Sequence, residues 1–441
     1  GEVDGGGGGG GGGEGGGAGR EGGPDEEQPL RERLVQAALD AALASEEDIV
    51  PPALAPPLPG AVRITSFNAL ATTAEVATAA AAGAEALLLP TRRPDGVYYR
   101  RELLTRSLEG RRIDLLTITG DNGRAEATEP LLPAPLLPEG RARPHIFPQK
   151  RVVLVSARVH AGETPSSHVL DGLLHFLLRP NDARAAALRA RFVFKLVPML
   201  NPDGVAFGHC RADARGIDLN RMYAQPSHDE QPSVHAALAV AQQLHGRGDL
   251  YCYIDAHAHG NRRGCFFYAN ALPTESARQD AALYARLVAL NARWLDVEGC
   301  AWKKSNKGSA RGAMFAMTGL PLTFTLECNY DSGIRVNELL PRYEKAIDES
   351  GAGTDAALLA PEPPAVAGEQ QQPEGAPLES AKYTPASWQE IGAALAVGIL
   401  DLSGANPASR LGPPEGDGLQ QLRASSKWFA EFTRCDEDDE G

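Results

Sequence analysis

Five short runs of apolar and β-branched residues constrain this chain more than any other feature: residues 151–158 (RVVLVSAR), 191–200 (RFVFKLVPML), 250–255, 265–268 and 321–326 (PLTFTL). Such continuous runs predict strands buried on both faces of a sheet. Helical patterns lie between them. One starts at Thr164-Pro165, read as an N-cap followed by proline at the first helical position, and carries Val169, Leu170, Leu173, Leu174 and Leu177 at helical spacing. A second covers 271–295, and a third follows Thr384-Pro385, with a capping box read at Ser387 and Glu390. Upstream, residues 99–107, a turn at 108–111 and a strand at 113–118 read as a hairpin. Strands alternating with helices predict an α/β domain over 98–403, a mixed, mostly parallel twisted sheet flanked by helices.

The flanks read differently. Residues 1–60 are low in complexity, with a glycine tract, one short amphipathic stretch and a Pro/Ala run. They bury too little surface to fold and are expected to be disordered. Residues 61–97 read as a weakly patterned remnant or linker, 351–379 as a disordered Pro/Ala/Gln-rich loop insertion, and 404–441 as an acidic tail. The net charge of −14 belongs to the ends: residues 1–50 hold twelve acids against three arginines, and Asp436 to Glu440 add five acids. The middle is close to neutral, so the charge is no signal for a nucleic acid or a membrane surface. No apolar run reaches membrane-spanning length. The glycine- and acid-rich start carries no signal-peptide pattern. The six cysteines show no CxxC spacing, and a chain of this length needs no disulfide framework. Cys252 and Cys328 are expected as buried free thiols in a reducing compartment.

His160-Ala161-Gly162-Glu163 follows the strand at 151–158 directly. An imidazole and a carboxylate thus stand at a strand's C-terminal end, where α/β sheets build their sites. A further ligand must come from elsewhere, and His257, in Asp255-Ala256-His257-Ala258-His259, ends another apolar run. Two histidines and one glutamate leave a fourth position open, which is the pattern of a catalytic zinc. Taken alone, HxxE is common and a strand-end histidine is more often structural. Arg211, Asn220 and Arg221 add to the case, following the turn Asn201-Pro202-Asp203-Gly204. Guanidinium pairs bidentately with carboxylate, so arginines near a metal suit an anionic substrate. Glu327 closes the run at 321–326. A carboxylate there is costly unless it is used or paired, and a general base beside an activated water is one such use.

The order HxGE, NPDG, Arg, LNR, His, Glu resembles the zinc metallocarboxypeptidases of the carboxypeptidase A superfamily. The strings at 158–167 (RVHAGETPSS) and 198–205 (PMLNPDGV) resemble its cytosolic carboxypeptidases, and those at 263–268 (RGCFFY) and 326–330 (LECNY) resemble the type-5 branch. The resemblance runs from about Tyr98 to Leu402. It implies one zinc per chain, with His160, Glu163 and His257 as ligands. It implies Arg211 as the group that polarises the scissile carbonyl and supports the oxyanion. Asn220 and Arg221 match the grip on the terminal carboxylate, and Glu327 matches the general base. Arg311, in the string GSARG, falls at the floor of the side-chain pocket, where an arginine suits glutamate.

The resemblance further implies a tubulin deglutamylase of the cytoplasm, associated with microtubules or cilia. Its substrates would be glutamylated tubulin or other acidic protein chains, including the γ-linked branch-point glutamate. Arg262, Arg263, Lys303, Lys304, Lys307 and Arg311, clustered in a neutral core, fit that. No nucleic-acid or membrane partner is expected. Two departures stand out. The family's preceding β-sandwich domain is expected to be truncated or absent, because the chain before Tyr98 is short and low in complexity. Ala256 and Ala258 also replace the family's usual leucine and glycine, which is acceptable at 258 unless a positive φ is required there. Two other readings stay open: a catalytically inactive tubulin-binding pseudo-carboxypeptidase, and a zinc amidohydrolase acting on small acyl-amino acids. The intact site counts against the first, and the LNR and ECNY strings count against the second.

Overall fold

β1 (Val97–Arg106) and β2 (Arg112–Gly120) pair antiparallel around Gly110, which holds the turn at φ +78. This is the expected hairpin. In this computed structural model the described residues are 96–303, 306–343, 346–347, 353–354, 382–413 and 416–424. The expected disorder over 1–60 lies outside them. So do nearly all of 61–97, the loop 351–379 apart from 353–354, and any preceding sandwich domain.

β3 (Arg151–Ala157), β4 (Phe192–Val197), β5 (Leu250–His259), β6 (Cys265–Asn270), β7 (Ala301–Lys303) and β8 (Thr323–Asn329) complete an eight-stranded sheet. Its order is β1-β2-β4-β3-β5-β8-β6-β7. The four central strands β4, β3, β5 and β8 run parallel. β2 joins β4, and β6 joins β8, in antiparallel fashion. The sheet is therefore mixed, and its central strands are buried on both faces, as the apolar runs predict. Alternate residues of β3 serve different faces: Val153 and Val155 join one apolar cluster, Val152 and Leu154 the other.

On the first face lie α1 (Thr164–Leu177), α2 (Ala183–Arg191), α5 (Glu275–Leu290) and α7 (Pro385–Leu402). The second is covered by α4 (Pro232–Gly246) and α6 (Ala310–Thr318). α3 (Pro202–Ala206) is a single turn capped by Asn201, and α8 (Gly418–Ala424) closes the described chain. α1 and α7 cross at contact distance because both carry glycine there. A Cβ on Gly172 would stand 2.0 Å from Gln389 O, and one on Gly392 would stand 1.9 Å from Val169 O.

Several boundaries differ from expectation. Glu163, not Thr164, is the N-cap of α1, and its side chain makes no cap bond because it points elsewhere. The box on α7 joins Thr384 to Ser387, one turn ahead of the expected pair, while Glu390 accepts from Arg293 N. The helix expected over 271–295 is the shorter α5, opened by Thr274, whose side chain accepts from Ala277 N. Leu411, Leu419 and Leu422 pack on the first core, so the segment after 404 starts as structure rather than as a tail. Among the described residues, Cys252, Cys265, Cys300 and Cys328 are buried free thiols and Cys210 is an exposed one. No described helix is long and apolar enough to cross a membrane.

Candidate metal centre and substrate clamp

The chain leaves β3 in one direction to build β4 and returns on the other side to build β5, so the strand order reverses between β3 and β5. That crevice, at the C-terminal ends of parallel strands, is where α/β sheets bind ligands. His160 lies three residues past β3, Glu163 caps α1, and His257 lies near the end of β5. The three buried side chains converge, with candidate ligand atoms all within 4.8 Å of one another. His160 Nδ1 is 2.6 Å from Glu163 Oε1, and His257 Nδ1 is 3.0 Å from Glu163 Oε2. The two Nδ1 atoms stand 3.2 Å apart.

The outer nitrogens decide the tautomers. His257 Nε2 lies 2.6 Å from Asp255 Oδ2, and His160 Nε2 lies 3.1 Å from Asp218 Oδ1. A carboxylate only accepts, so with a cation at the centre the proton of each imidazole would sit on Nε2 and the Nδ1 lone pair would face the centre. Two imidazole lone pairs and a carboxylate converging in a buried pocket fit zinc, with an open position left for water. Without a metal these groups pull on one another. Burial works to raise Glu163, but His257 and the bond from His160 outweigh it and hold the carboxyl well below its usual range. Burial likewise works to lower His257, and Asp255 with Glu163 drives it well above the ordinary histidine value.

Asp255 and Asp218 are site residues that sequence reasoning missed. Asp255 is fully buried and also accepts from Ser156 Oγ at 2.7 Å. Its signal was readable: residues two apart on a strand share a face, so Asp255 and His257 must point the same way. Such carboxylates orient metal-binding histidines and fix their tautomer.

Glu327 sits inside β8 rather than at its end, directly opposite His257 in the parallel pairing. Its Oε2 is shut off from solvent and has no hydrogen-bond partner among the described residues. Burial, aided by the Glu163 and Asp255 charges and opposed by His257, pushes its pKa up to about 8. Ala258 continues the strand and donates its N–H to Glu163 Oε2 at 3.0 Å, so no left-handed backbone is needed there.

The clamp residues gather around this centre. Arg211 donates from Nε to Asp218 Oδ2 at 2.9 Å, and its Nη1 lies 4.0 Å from Glu163 Oε1. Asn220 Nδ2 is 3.5 Å from His257 Nε2, while its Oδ1 accepts from Ala310 N at 2.8 Å. Arg221 is exposed and donates to Asn220 O. The Ala310 bond joins the clamp to α6, whose next residue is Arg311. Arg311 is buried and donates from Nη1 to Ala269 O and Asn270 Oδ1 at 2.8 and 2.7 Å. Burial lowers its pKa to about 10, against the pull of Tyr268 and Glu327. Of the wider basic cluster, Arg262 lies over Phe266 and Lys303 over Tyr268, and Lys304 is outside the described residues.

The chain is similar to several known proteins. Cytosolic carboxypeptidase-like protein 5 of Danio rerio is 34% identical over 442 residues, covering 75% of this chain and 47% of that protein. Its Homo sapiens counterpart is 32% identical, covering 77% and 46%. Cytosolic carboxypeptidase 6 of Homo sapiens is 33% identical over 242 residues, covering 54% and 44%. The chain thus spans about half the length of these relatives. Among solved structures, a metallo-carboxypeptidase from Burkholderia cenocepacia is similar at 22% identity and TM-score 0.48, covering 71% of this chain and 66% of that one. The family described as zinc carboxypeptidase matches residues 91–331, more than half of the chain, and this protein belongs to it.

Proposed function

We propose that this chain is a zinc-dependent carboxypeptidase that releases glutamate from glutamylated proteins. Tubulin chains, including the γ-linked branch-point glutamate, are the leading substrates. One observation carries the reading: a His–Glu–His centre lies beside Glu327, whose Oε2 is shut off from solvent and unpartnered among the described residues, with the buried arginine Arg311 in electrostatic reach of that carboxylate. His160, Glu163 and His257 would hold one zinc per chain through Nδ1, a carboxylate oxygen and Nδ1. When bound, zinc supplies Lewis-acid activation of water and of the scissile carbonyl.

The remaining work falls to the chain's own residues. Glu327 takes the proton of the attacking water on its unpartnered oxygen and returns it to the leaving amine. A raised carboxyl pKa suits both halves of that task, and the positive charge of a bound cation lowers it toward the working pH. Arg211 donates toward the oxyanion as it develops. Asn220 and Arg221 take the terminal carboxylate, which makes the enzyme an exopeptidase. Arg311 pairs with the substrate's side-chain carboxylate. In that pocket a neutral side chain would leave the guanidinium's remaining donors unmatched, which disfavours it. A cytoplasmic location fits the word cytosolic in the names of the relatives and the free buried thiols, and a place near microtubules would follow from the tubulin substrate. The test is mass spectrometry of branched and linear glutamylated peptides after incubation. Loss of glutamate that a chelator blocks and added zinc restores supports the reading, and intact peptides with zinc-loaded protein contradict it.

A further inference from the structure

Among the described residues, only Leu137 and Arg158 combine a side chain with a positive φ. Arg158, at φ +62, follows the last residue of β3 and precedes His160 by two. Only glycine adopts that conformation without strain, and a long side chain persists in it where the surroundings hold it there. The backbone here is held firmly. Leu200 N donates to Ala157 O at 3.0 Å, Asn201 N to Arg158 O at 3.1 Å, and Asn201 Nδ2 to Val159 O at 3.2 Å. The far side of the loop is pinned as well. Gly162 N donates to Cys210 O at 2.7 Å, and a Cβ on Gly162 would stand 2.6 Å from that oxygen.

Glycine would make this turn without strain, so an arginine in its place calls for a role of the side chain. Its guanidinium makes two bonds of separate purpose. Nε donates to Ala161 O at 2.9 Å, inside the loop between the two candidate ligands, and Nη1 donates to Ser167 Oγ at 2.8 Å, in the first turn of α1. We propose that Arg158 is a positioning residue for the metal centre: it turns the chain out of β3 and ties the His160–Glu163 loop to α1, fixing the spacing at which both ligands reach one ion. This rests on the reading of His160, Glu163 and His257 as metal ligands.

The experiment is a zinc titration of the full chain against a competing chromogenic chelator, paired with the Tm of the metal-free protein. Wild type and His160→Ala test the metal reading itself. Stoichiometric zinc in the first and its loss in the second support that reading, and a wild type without zinc overturns both readings. Arg158→Gly keeps the turn and removes both tethers. The expected result is a Tm at or above wild type with zinc affinity weakened about 10- to 100-fold. Ser167→Ala removes one tether and leaves the backbone untouched, so it should weaken zinc by a smaller factor at unchanged Tm. Arg158→Lys, with a single ammonium in place of the fork, should fall between Arg158→Gly and wild type. Wild-type zinc affinity in Arg158→Gly and Ser167→Ala overturns the proposal. So does a loss of affinity that merely follows a fall in Tm, with Ser167→Ala unaffected.

Discussion

In the proposed chemistry most of the work falls to single residues at or near the C-terminal ends of parallel strands. His160, Glu163, His257 and Glu327 were legible because an ionisable group beside an apolar run must be used or paired, and the structure brings all four to one crevice. Asp255 was readable from its place two residues before His257 on one strand, whereas Asp218 was not, because a carboxylate's partner in space leaves little mark on the sequence around it. Glu327→Gln keeps the shape and removes the proton acceptor. It should lower kcat by about 10²- to 10⁴-fold and leave zinc binding in place, as steady-state kinetics with metal analysis will show. Arg311→Ala should reduce kcat/KM for peptides ending in glutamate by about 10- to 100-fold, equivalent to one charge-assisted bond of about 1.5–3 kcal/mol. Peptides ending in alanine should lose less. Equal losses on both would mean that Arg311 supports the fold of the pocket rather than selecting the side chain.

At the scale of elements, the five apolar runs foretold the four central strands and β6 beside them, because a run this short, apolar on both of its faces, buries all of its side chains at once inside a covered sheet. Helices were less legible. α4 carries Val234, Ala237, Val240, Ala241 and Leu244 at helical spacing, but alanine dilutes the pattern. α6 is short, and its clearest marks are its ends, Ser309 as N-cap and Gly319 in the left-handed region. The crossing of α1 and α7 depends on positions that no periodicity reveals. Gly392→Ala sets a methyl against Val169 O. Backbone must move to accept it, so the change should destabilise by about 1–3 kcal/mol in denaturant unfolding. A neutral result would mean that the two helices are free to slide apart.

At the scale of the whole molecule, the described residues hold a buried charge cluster beside β1, β2 and β4 as well as the candidate metal centre. In that cluster Lys195, fully buried in the middle of β4, donates to Glu129 Oε2 at 2.7 Å. Arg143 bridges the same oxygen and Glu102 at 2.8 and 2.6 Å. Nothing in the run RFVFKLV says whether its lysine is buried or solvated, because the partner lies far away in sequence. Burial works to raise Glu129, but Lys195 and Arg143 outweigh it and its carboxyl is held below the ordinary value. A folded pKa below the unfolded one stabilises above the unfolded value near 4.5, and that contribution is lost as pH falls through the folded pKa. Glu129→Ala leaves Lys195 buried without its carboxylate, and should cost about 3–5 kcal/mol near neutral pH. The deficit relative to wild type should shrink in acid unfolding curves, and a constant deficit would place the stabilising charge elsewhere.

The proposed site joins a metal, a base and an arginine clamp for the release of glutamate. Mass spectrometry of branched and linear glutamylated peptides tests it most directly, with zinc-loaded wild type, chelated wild type and Glu327→Gln run side by side. Stepwise loss of glutamate is expected with the zinc-loaded wild type, and intact peptides with the other two. Intact peptides in all three, or glutamate release that survives both chelation and Glu327→Gln, would contradict it.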